Sequence, residues 1–206
     1  MKEARQRLQD SYLHNDINSL LKYYDNWELY EQDLMSLGFF GPIGCAALLY
    51  KHIPSDYSIL DVGCGPGNLG QYLKLLKFEK ITGLDGSLKM VERAINRKVY
   101  DKVIHHVINR PGFFPVKNID VLVGSGVFTV GHFPVESMRT CFNAVRHNGY
   151  FCFSATNKVL DTTFKNEFTY IKENSYLIDI TNTQSIVYHA SKINKYPARV
   201  YLFQKL

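Results

Sequence analysis

Apolar and polar positions along the chain form short blocks that predict strands alternating with helices. Short apolar runs, typical of buried strands, lie at 57–62, 80–84, 103–107, 119–124 and 149–155. Stretches with apolar residues at helical spacing lie between them, at about 67–77, 87–97 and 134–146. This alternation is typical of a parallel sheet with helices on both faces, so we predict an α/β fold.

The first 37 residues have a different pattern, polar and helical. Apolar residues there recur at steps of three and four, which predicts one helix face formed by Leu20, Leu21, Tyr24, Trp27 and Tyr30. That face either packs on the rest of the domain or covers a ligand. A buried helix is predicted to start at Gly41 and Pro42 and to continue through Leu49.

The pattern changes again after Asn157. A helix near 160–173 is followed by two strand-like runs, Ser175–Ser191 and Ala198–Leu206. The Ile-Asn-Lys-Tyr-Pro segment between them suits a hairpin, so we expect an antiparallel pair at the end of the chain.

The most informative local pattern is a glycine-rich turn after the first predicted strand. Gly63, Gly65 and Gly67 follow the apolar run that ends at Val62, and a helical pattern then begins. Glycine lets backbone approach a ligand closely, and a helix N-terminus supplies free N–H donors. The spacing is G-x-G-x-G, with Asn68 where a dinucleotide fingerprint would have its third glycine. The alternative is a turn that only connects strand to helix.

A second signal lies at the end of the next predicted strand. Asp85 follows the glycines by about 20 residues, the offset at which an acidic side chain binds ribose hydroxyls. The alternative role for Asp85 is to cap the following helix, but Ser87 can do so itself. Met90, one turn into that helix, suits either the core or an adenine contact.

These motifs resemble a known enzyme family. Asp61-Val-Gly-Cys-Gly-Pro-Gly67 and Gly83-Leu-Asp85-Gly-Ser-x-x-Met90 resemble the first two motifs of class I S-adenosylmethionine-dependent methyltransferases. Three flanking segments resemble methyltransferase-like proteins of the Williams–Beuren syndrome chromosome region 27 type. They are Tyr24–Phe39, Val123–Pro134 and Ala198–Lys205. The resemblance covers roughly residues 20 to 206, and it departs from the usual pattern at Glu28 and Glu31.

The resemblance implies a Rossmann-like class I methyltransferase fold. Its sheet would be mostly parallel and seven-stranded, with an antiparallel C-terminal strand and helices on both faces. We expect one domain over residues 1–206, with a helical lid or cover at 1–40 and the Rossmann-like core at 41–206.

The resemblance also implies S-adenosylmethionine as cofactor, bound at the carboxyl ends of the strands. The candidate cofactor-binding residues are Asp61, Gly63, Cys64, Gly65, Gly67, Leu84, Asp85, Gly86, Met90, Val107, Ile108 and Gly124, with Trp27 and Tyr30 from the lid. No catalytic residue is identified by the motifs. His132, just past the fourth predicted strand, is a candidate base if the acceptor must lose a proton, and its alternative role is structural. Tyr24 and Asp25 are further candidates for that base. Gly124 and Ser125, at the end of the fourth strand, are expected beside the transferable methyl group.

Composition narrows the partners and the location. The formal net charge is +5, and the basic residues are scattered, so a nucleic-acid substrate is disfavoured and a small-molecule or protein methyl acceptor is expected. The four cysteines form no C-x-x-C pair and no zinc spacing with the histidines, so we expect reduced thiols and no metal. The N-terminus is too charged for a signal peptide, and no apolar stretch is long enough to span a bilayer. We expect a cytoplasmic protein, with a nuclear pool left open, and the pattern does not predict an oligomeric state.

Two alternative functions remain at this point. A nicotinamide-dependent Rossmann oxidoreductase would bind a pyrophosphate at the glycine turn, but the third glycine is missing and the terminal hairpin does not continue the parallel βα pattern. A non-catalytic scaffold that only binds the cofactor is the second alternative, because acceptor pockets are built by variable loops.

Overall fold

The computed structural model describes residues 2–14, 16–108, 114–181 and 198–206. Among the described residues, four helices precede the first strand, and the first three of them are α1 (Lys2–Ser11), α2 (Ile17–Asp25) and α3 (Tyr30–Ser36). We call these three helices the N-terminal cover. Asp16 caps α2 by accepting a hydrogen bond from the Ser19 N–H.

In the part of the chain that the structure describes, seven strands and six further helices follow. The strands are β1 (Ser58–Val62), β2 (Lys80–Asp85), β3 (Lys102–His105), β4 (Ile119–Ser125), β5 (Val145–Thr156), β6 (Ser175–Thr181) and β7 (Ala198–Lys205). The helices are α4 (Gly41–His52), α5 (Asn68–Leu75), α6 (Leu88–Arg97), α7 (Ser137–Ala144), α8 (Asn157–Asp161) and α9 (Lys165–Glu173).

The strands form one sheet with the order β3-β2-β1-β4-β5-β7-β6. The first five strands in this order pair in parallel, whereas β7 is antiparallel to both β5 and β6. The predicted Rossmann-like, mostly parallel seven-stranded sheet with an antiparallel C-terminal strand is therefore confirmed. Because β1, β4 and β2 are parallel and in register, their carboxyl ends meet at one edge.

Side chains that alternate along the central strands divide the core between the two sheet faces. Val121, Val123 and Cys152 pack with the buried residues of α4 and α5 on one face. Leu122, Phe151 and Phe153 pack with α7, α8 and α9 on the other. The second face is rich in aromatic rings, and its completely or almost completely buried phenylalanines are Phe128, Phe142, Phe151, Phe153, Phe164 and Phe203. Helices on both faces were predicted and are confirmed.

Two predicted boundaries were wrong. The helix predicted at 134–146 is the shorter α7, and β5 begins at Val145 because this buried side chain pairs with Ile119 before a register shift in the ladder. The helix predicted near 160–173 is interrupted after Asp161. There the Thr162 hydroxyl donates to the Lys158 carbonyl, and Phe164 is fully buried among the aromatic residues. The predicted strand Ser175–Ser191 is described only as far as Thr181, and the Ile-Asn-Lys-Tyr-Pro hairpin lies outside the described residues.

The N-terminal cover is held together by a buried carboxylate. Asp33 is 5% exposed and accepts two hydrogen bonds from Arg7, at 2.6 and 2.9 Å, and one from the Trp27 indole N–H at 2.7 Å. The hydrogen bond from the Arg7 guanidinium is the main reason that the pKa of Asp33 lies below its ordinary value. This carboxylate joins α1, α3 and the segment between α2 and α3.

Helix α6 ties the N-terminal cover to the sheet. Asp25, at the end of α2, accepts from the Ser87 hydroxyl at 2.6 Å and from the Lys89 N–H at 3.1 Å. Arg93 donates to the Trp27 carbonyl, and Arg97 forms an ion pair with Glu31. The cover is therefore fastened by side chains from both ends of α6.

Within the described ranges, no single helix is both long enough and apolar enough to cross a membrane. Helices α3 and α4, bent by 80° relative to each other, reach that length and composition only when they are taken together.

Candidate functional site

The glycine turn lies where β1 ends, at the carboxyl edge of the sheet. Gly63, Gly65 and Gly67 all have positive φ, at 63°, 54° and 97°. The Cys64 N–H donates to the Leu84 carbonyl at 3.0 Å, which fixes the turn to the end of β2. Residues with side chains rarely adopt these φ values, so the turn requires glycine.

Gly63 and Gly65 differ in the space around them. A Cβ on Gly63 would lie 2.2 Å from a methyl carbon of Val127, which is far inside contact distance. A Cβ on Gly65 would approach only the Tyr30 ring, at 3.8 Å. Gly63 is thus required by packing, whereas Gly65 leaves open space at the edge of the sheet.

Asp85 joins the glycine turn to the start of α6. One carboxylate oxygen accepts from the Gly65 N–H at 2.8 Å, and the other accepts from the Ser87 N–H at 2.8 Å. Burial raises the pKa of Asp85 above its ordinary value, while these N–H donors oppose that rise. Ser87 is the N-cap of α6 and accepts from the Met90 N–H, so Asp85 is not needed for that role.

Asp61 lies beneath the turn and is 1% exposed. Its carboxyl group accepts a hydrogen bond from the Tyr100 hydroxyl at 2.7 Å. Burial raises the pKa of Asp61 to about 7, partly offset by the Tyr100 hydrogen bond. The Tyr100 ring also lies where side chains on Gly67, Gly70 and Gly83 would be, so it fills the space under the turn.

We expect Asp61→Asn to change how stability depends on pH. In the wild type the unfolded carboxyl ionises above its ordinary pKa of 3.8, while the folded one stays protonated up to about 7. The free energy of unfolding therefore falls as pH rises from about 4 to 7, by at most about 4 kcal/mol. Asparagine can still accept the hydrogen bond from the Tyr100 hydroxyl, but it does not titrate, so the fall in the free energy of unfolding with rising pH should disappear.

Chemical denaturation at pH 5 and pH 8 measures the effect. The matched control is Asp120→Asn, since Asp120 also accepts hydrogen bonds but has a lowered pKa. Parallel stability curves for the wild type and Asp61→Asn between these two pH values would contradict the expectation.

A cavity of about 700 Å³, part of it open to solvent, lies over the carboxyl ends of β1, β2 and β4. We call it the first chamber. The predicted site residues that line it are Tyr30, Gly63, Gly65, Leu84, Asp85, Gly86, Met90, Val107, Ile108 and the candidate base His132. Residues from distant parts of the sequence are therefore brought together around one space.

Five predicted site residues do not line the first chamber. Asp61 and Cys64 are buried beneath the turn, and the Gly67 N–H is used within the turn by the Cys64 carbonyl. The space beside Gly124 is filled by Val127 and Phe128. Trp27, expected in the lid over the cofactor, is 3% exposed because its indole donates to Asp33.

Several residues that line the chamber were not on the list of candidates. They are Ile17, Leu20, Leu21, His106, Gly126, Val127 and Phe133. Tyr24, a candidate base, and Ser125, expected beside the transferable methyl group, also line the chamber. The helical spacing of Leu20, Leu21 and Tyr24 predicted one shared face, but it did not show that this face covers a cavity. Tyr100 gave no signal in the sequence, because its role depends entirely on packing against glycines far away along the chain.

A second chamber of about 660 Å³, also partly open, lies beside the first under the N-terminal cover. Its walls come from α1, α3, the end of β4, the end of β5 and the start of β7. Among the residues that line it are three aromatic ones, Tyr12, Phe39 and Phe128, and three with hydroxyl groups, Thr129, Ser154 and Thr156. Five residues line both chambers and form their junction: Tyr24, Tyr30, Ser125, Gly126 and His132.

No group of three or more His, Cys, Asp or Glu residues that could hold a metal ion occurs in the part of the chain that the structure describes. The four cysteines are all buried and free.

Comparison with known proteins identifies the family of the chain and solved structures of similar fold. Residues 53–201 match the methyltransferase domain family. The human methyltransferase-like protein 27 is 24% identical over 168 residues, which cover 79% of this chain and 68% of that protein.

Two solved structures are similar in fold. The TehB-like S-adenosylmethionine-dependent methyltransferase of Corynebacterium glutamicum superposes with a TM-score of 0.64 at 16% identity, over 90% of this chain and 99% of that one. An S-adenosylmethionine-dependent methyltransferase of Mesorhizobium loti gives a TM-score of 0.56 at 17% identity, over 80% and 100% of the two chains.

Proposed function

The chain belongs to the methyltransferase domain family and is an S-adenosylmethionine-dependent methyltransferase, and we propose that it methylates a small molecule bound in the second chamber. The observation that supports this proposal most is the pair of chambers that meet at the carboxyl edge of the sheet. One chamber would hold the cofactor and the other the acceptor.

The residues that line the first chamber suit the chemistry of S-adenosylmethionine. The open space beside Gly65 would admit the amino-acid tail against bare backbone. Asp85 is an acceptor at the end of β2 and would bind the ribose hydroxyls. Leu84, Met90 and Ile108 are apolar and would enclose the adenine. The cofactor has a methyl group on a positively charged sulfur. When bound, it would supply this methyl group to an electron-rich acceptor atom.

The residues around the chambers would contribute by orientation and by exclusion of water. The N-terminal cover closes the chambers from one side, and the hydrogen bonds from α6 hold it there. Alignment of the two reactants in a closed site lowers the activation free energy of methyl transfer by a large amount. No covalent intermediate with the enzyme is therefore needed.

A small acceptor is favoured over a protein segment by the second chamber. It lies under α1 and α3, and the N-terminal cover contributes Tyr24 and Tyr30 to the junction. A protein side chain would have to pass this cover to reach the junction.

Two experiments test the proposal, a calorimetric titration of cofactor binding and a transfer of labelled methyl in a cell extract. We expect S-adenosylmethionine and S-adenosylhomocysteine to bind and NADH not to bind. We then expect labelled methyl from the cofactor to appear in the low-molecular-weight fraction of a cell extract rather than in its protein. Label found only in protein would overturn the small-molecule acceptor, and the absence of cofactor binding would overturn the cofactor site.

A further inference from the structure

The junction of the two chambers contains a hydrogen-bonded pair. The Tyr24 hydroxyl lies 2.5 Å from His132 Nε2, and both residues line both chambers. A methyl group that passes from the first chamber to the second has to cross this junction. The pair is therefore next to the place where the acceptor atom would react.

The contacts of His132 determine its tautomer. Its Nδ1 lies 3.3 Å from the Val130 carbonyl oxygen, which can only accept a hydrogen bond. A neutral imidazole has one N–H, so Nδ1 bears the hydrogen and Nε2 has a free lone pair. The Tyr24 hydroxyl consequently donates to Nε2, and its own oxygen can still accept a hydrogen bond.

Neighbouring rings fix this arrangement. The Tyr24 ring stacks on Trp27 with centroids 6.0 Å apart and meets Tyr30 edge to face. The His132 ring lies against Tyr12 and Tyr24. The indole of Trp27 is itself held by Asp33, so the position of Tyr24 depends on the buried centre of the N-terminal cover.

The surroundings of the pair are aromatic and uncharged. Of the residues that the structure describes, none that lines the second chamber is Asp, Glu, Lys or Arg. The other titratable groups among the described residues that line the chambers are Tyr12, Tyr30, Asp85 and His106. Burial lowers the pKa of His132 to about 4, so the imidazole is neutral at pH 7 and the Nε2 lone pair is available to the Tyr24 hydroxyl.

Resting on the proposed function, we infer that Tyr24 and His132 form a proton relay for an uncharged aromatic acceptor that has an ionisable hydroxyl or thiol. The acceptor gives its proton to the Tyr24 oxygen while the Tyr24 proton moves to His132 Nε2. The lone pair left on the acceptor oxygen or sulfur forms the bond to the methyl carbon. The bond from that carbon to the sulfonium sulfur breaks, and its electron pair stays on the sulfur.

This scheme keeps the total charge at the junction constant. One positive charge disappears from the sulfur as one appears on the imidazole, so the number of charges buried in this site of low polarity does not increase. The rings of Tyr12, Phe39 and Phe128 in the second chamber suit a planar apolar body, and Thr129, Ser154 and Thr156 offer hydroxyl groups to its polar edge.

Binding of small probes tests the acceptor class without turnover. The protein saturated with S-adenosylhomocysteine is titrated with phenol, thiophenol, benzoate and benzylamine at about pH 5.5, where phenol and thiophenol are mostly neutral and the other two are charged. We expect phenol and thiophenol to bind and the two charged probes not to bind. Equal or tighter binding of benzoate or benzylamine would overturn the assignment of an uncharged acceptor.

Methyl transfer to phenols of graded acidity tests the relay. We expect His132→Ala and Tyr24→Phe each to slow transfer to phenol by about 10²- to 10⁴-fold. Transfer to pentafluorophenol, a much more acidic phenol whose neutral form loses its proton with far less help from a base, should be much less affected. Added imidazole should restore part of the activity of His132→Ala. The exposed His147 on β5 provides a matched control, and His147→Ala should behave as the wild type.

The outcomes separate the relay from the proposed function. Equal losses with phenol and pentafluorophenol would show a structural role for the pair and overturn the relay. Cofactor binding without transfer to any phenol or thiophenol would overturn the acceptor class and leave the cofactor site intact. Nitrogen NMR of His132 provides a readout without turnover: the Nδ1–H tautomer should be observed, and an Nε2–H tautomer would overturn the relay.

Discussion

Replacing Asp85 by asparagine is expected to weaken S-adenosylmethionine binding by about 10- to 150-fold, because a hydrogen bond to a charged carboxylate is worth about 1.5–3 kcal/mol. The carboxylate lines the first chamber and is positioned by the N–H groups of Gly65 and Ser87. An amide has one acceptor oxygen instead of two, so it cannot serve both ribose hydroxyls and the backbone donors. Calorimetric titration of the folded variant gives the affinity.

The matched control for Asp85→Asn is Asp120→Asn. Asp120 also accepts a backbone hydrogen bond, from the Ser58 N–H at 2.9 Å, but it lies near the start of β4, at the opposite edge of the sheet. This control should lose some stability and keep its cofactor affinity. If Asp85→Asn binds the cofactor as tightly as the wild type, Asp85 is not part of the site.

Gly63→Ala is expected to lower the free energy of unfolding by about 2–5 kcal/mol. A non-glycine residue at a φ of 63° costs about 1–2 kcal/mol, and the overlap of its Cβ with Val127 adds about 1–3 kcal/mol. A domain of this kind is stable by only about 5–15 kcal/mol, so the loss is a large fraction of the total. Urea denaturation measures it.

Two further variants separate the causes. Val127→Ala in the Gly63→Ala background should recover the part of the lost stability that comes from the overlap of the Cβ with Val127. It should not recover the part that comes from placing alanine at a positive φ. Gly65→Ala, with only the Tyr30 ring at 3.8 Å, should lose about 1 kcal/mol of stability yet bind the cofactor poorly, because its Cβ would narrow the first chamber. A Gly65→Ala variant with normal cofactor affinity would contradict the placement of the amino-acid tail.

The sheet edge was predictable because its signals are local. The apolar runs, the glycine turn and the acidic end of the second strand are each contained in a few neighbouring residues. Parallel pairing then brings Val62 next to Leu84 and places the following turn beside Asp85. The helix cap at Ser87 was predictable for the same reason, since a cap depends on residues within one turn.

The interior of the site was less predictable because it depends on contacts between distant segments. The sequence grouped Trp27 with Tyr30, but only the fold shows that the indole turns to Asp33 while Tyr30 faces the chambers. Tyr100 lies 39 residues from Asp61 in the chain and reaches it only after the sheet has formed. The pairing of Tyr24 with His132, 108 residues apart, likewise has no local signature.

A chain of hydrogen bonds connects the glycine turn to the N-terminal cover. It runs from the Gly65 N–H to Asp85, from Asp85 to the Ser87 N–H, and from the Ser87 hydroxyl to Asp25 at the end of α2. A ribose that binds Asp85 competes for the same oxygens that position Ser87, and Ser87 fastens the cover. Binding of the nucleoside at Asp85 would therefore be coupled, through Ser87 and Asp25, to how firmly the N-terminal cover is held.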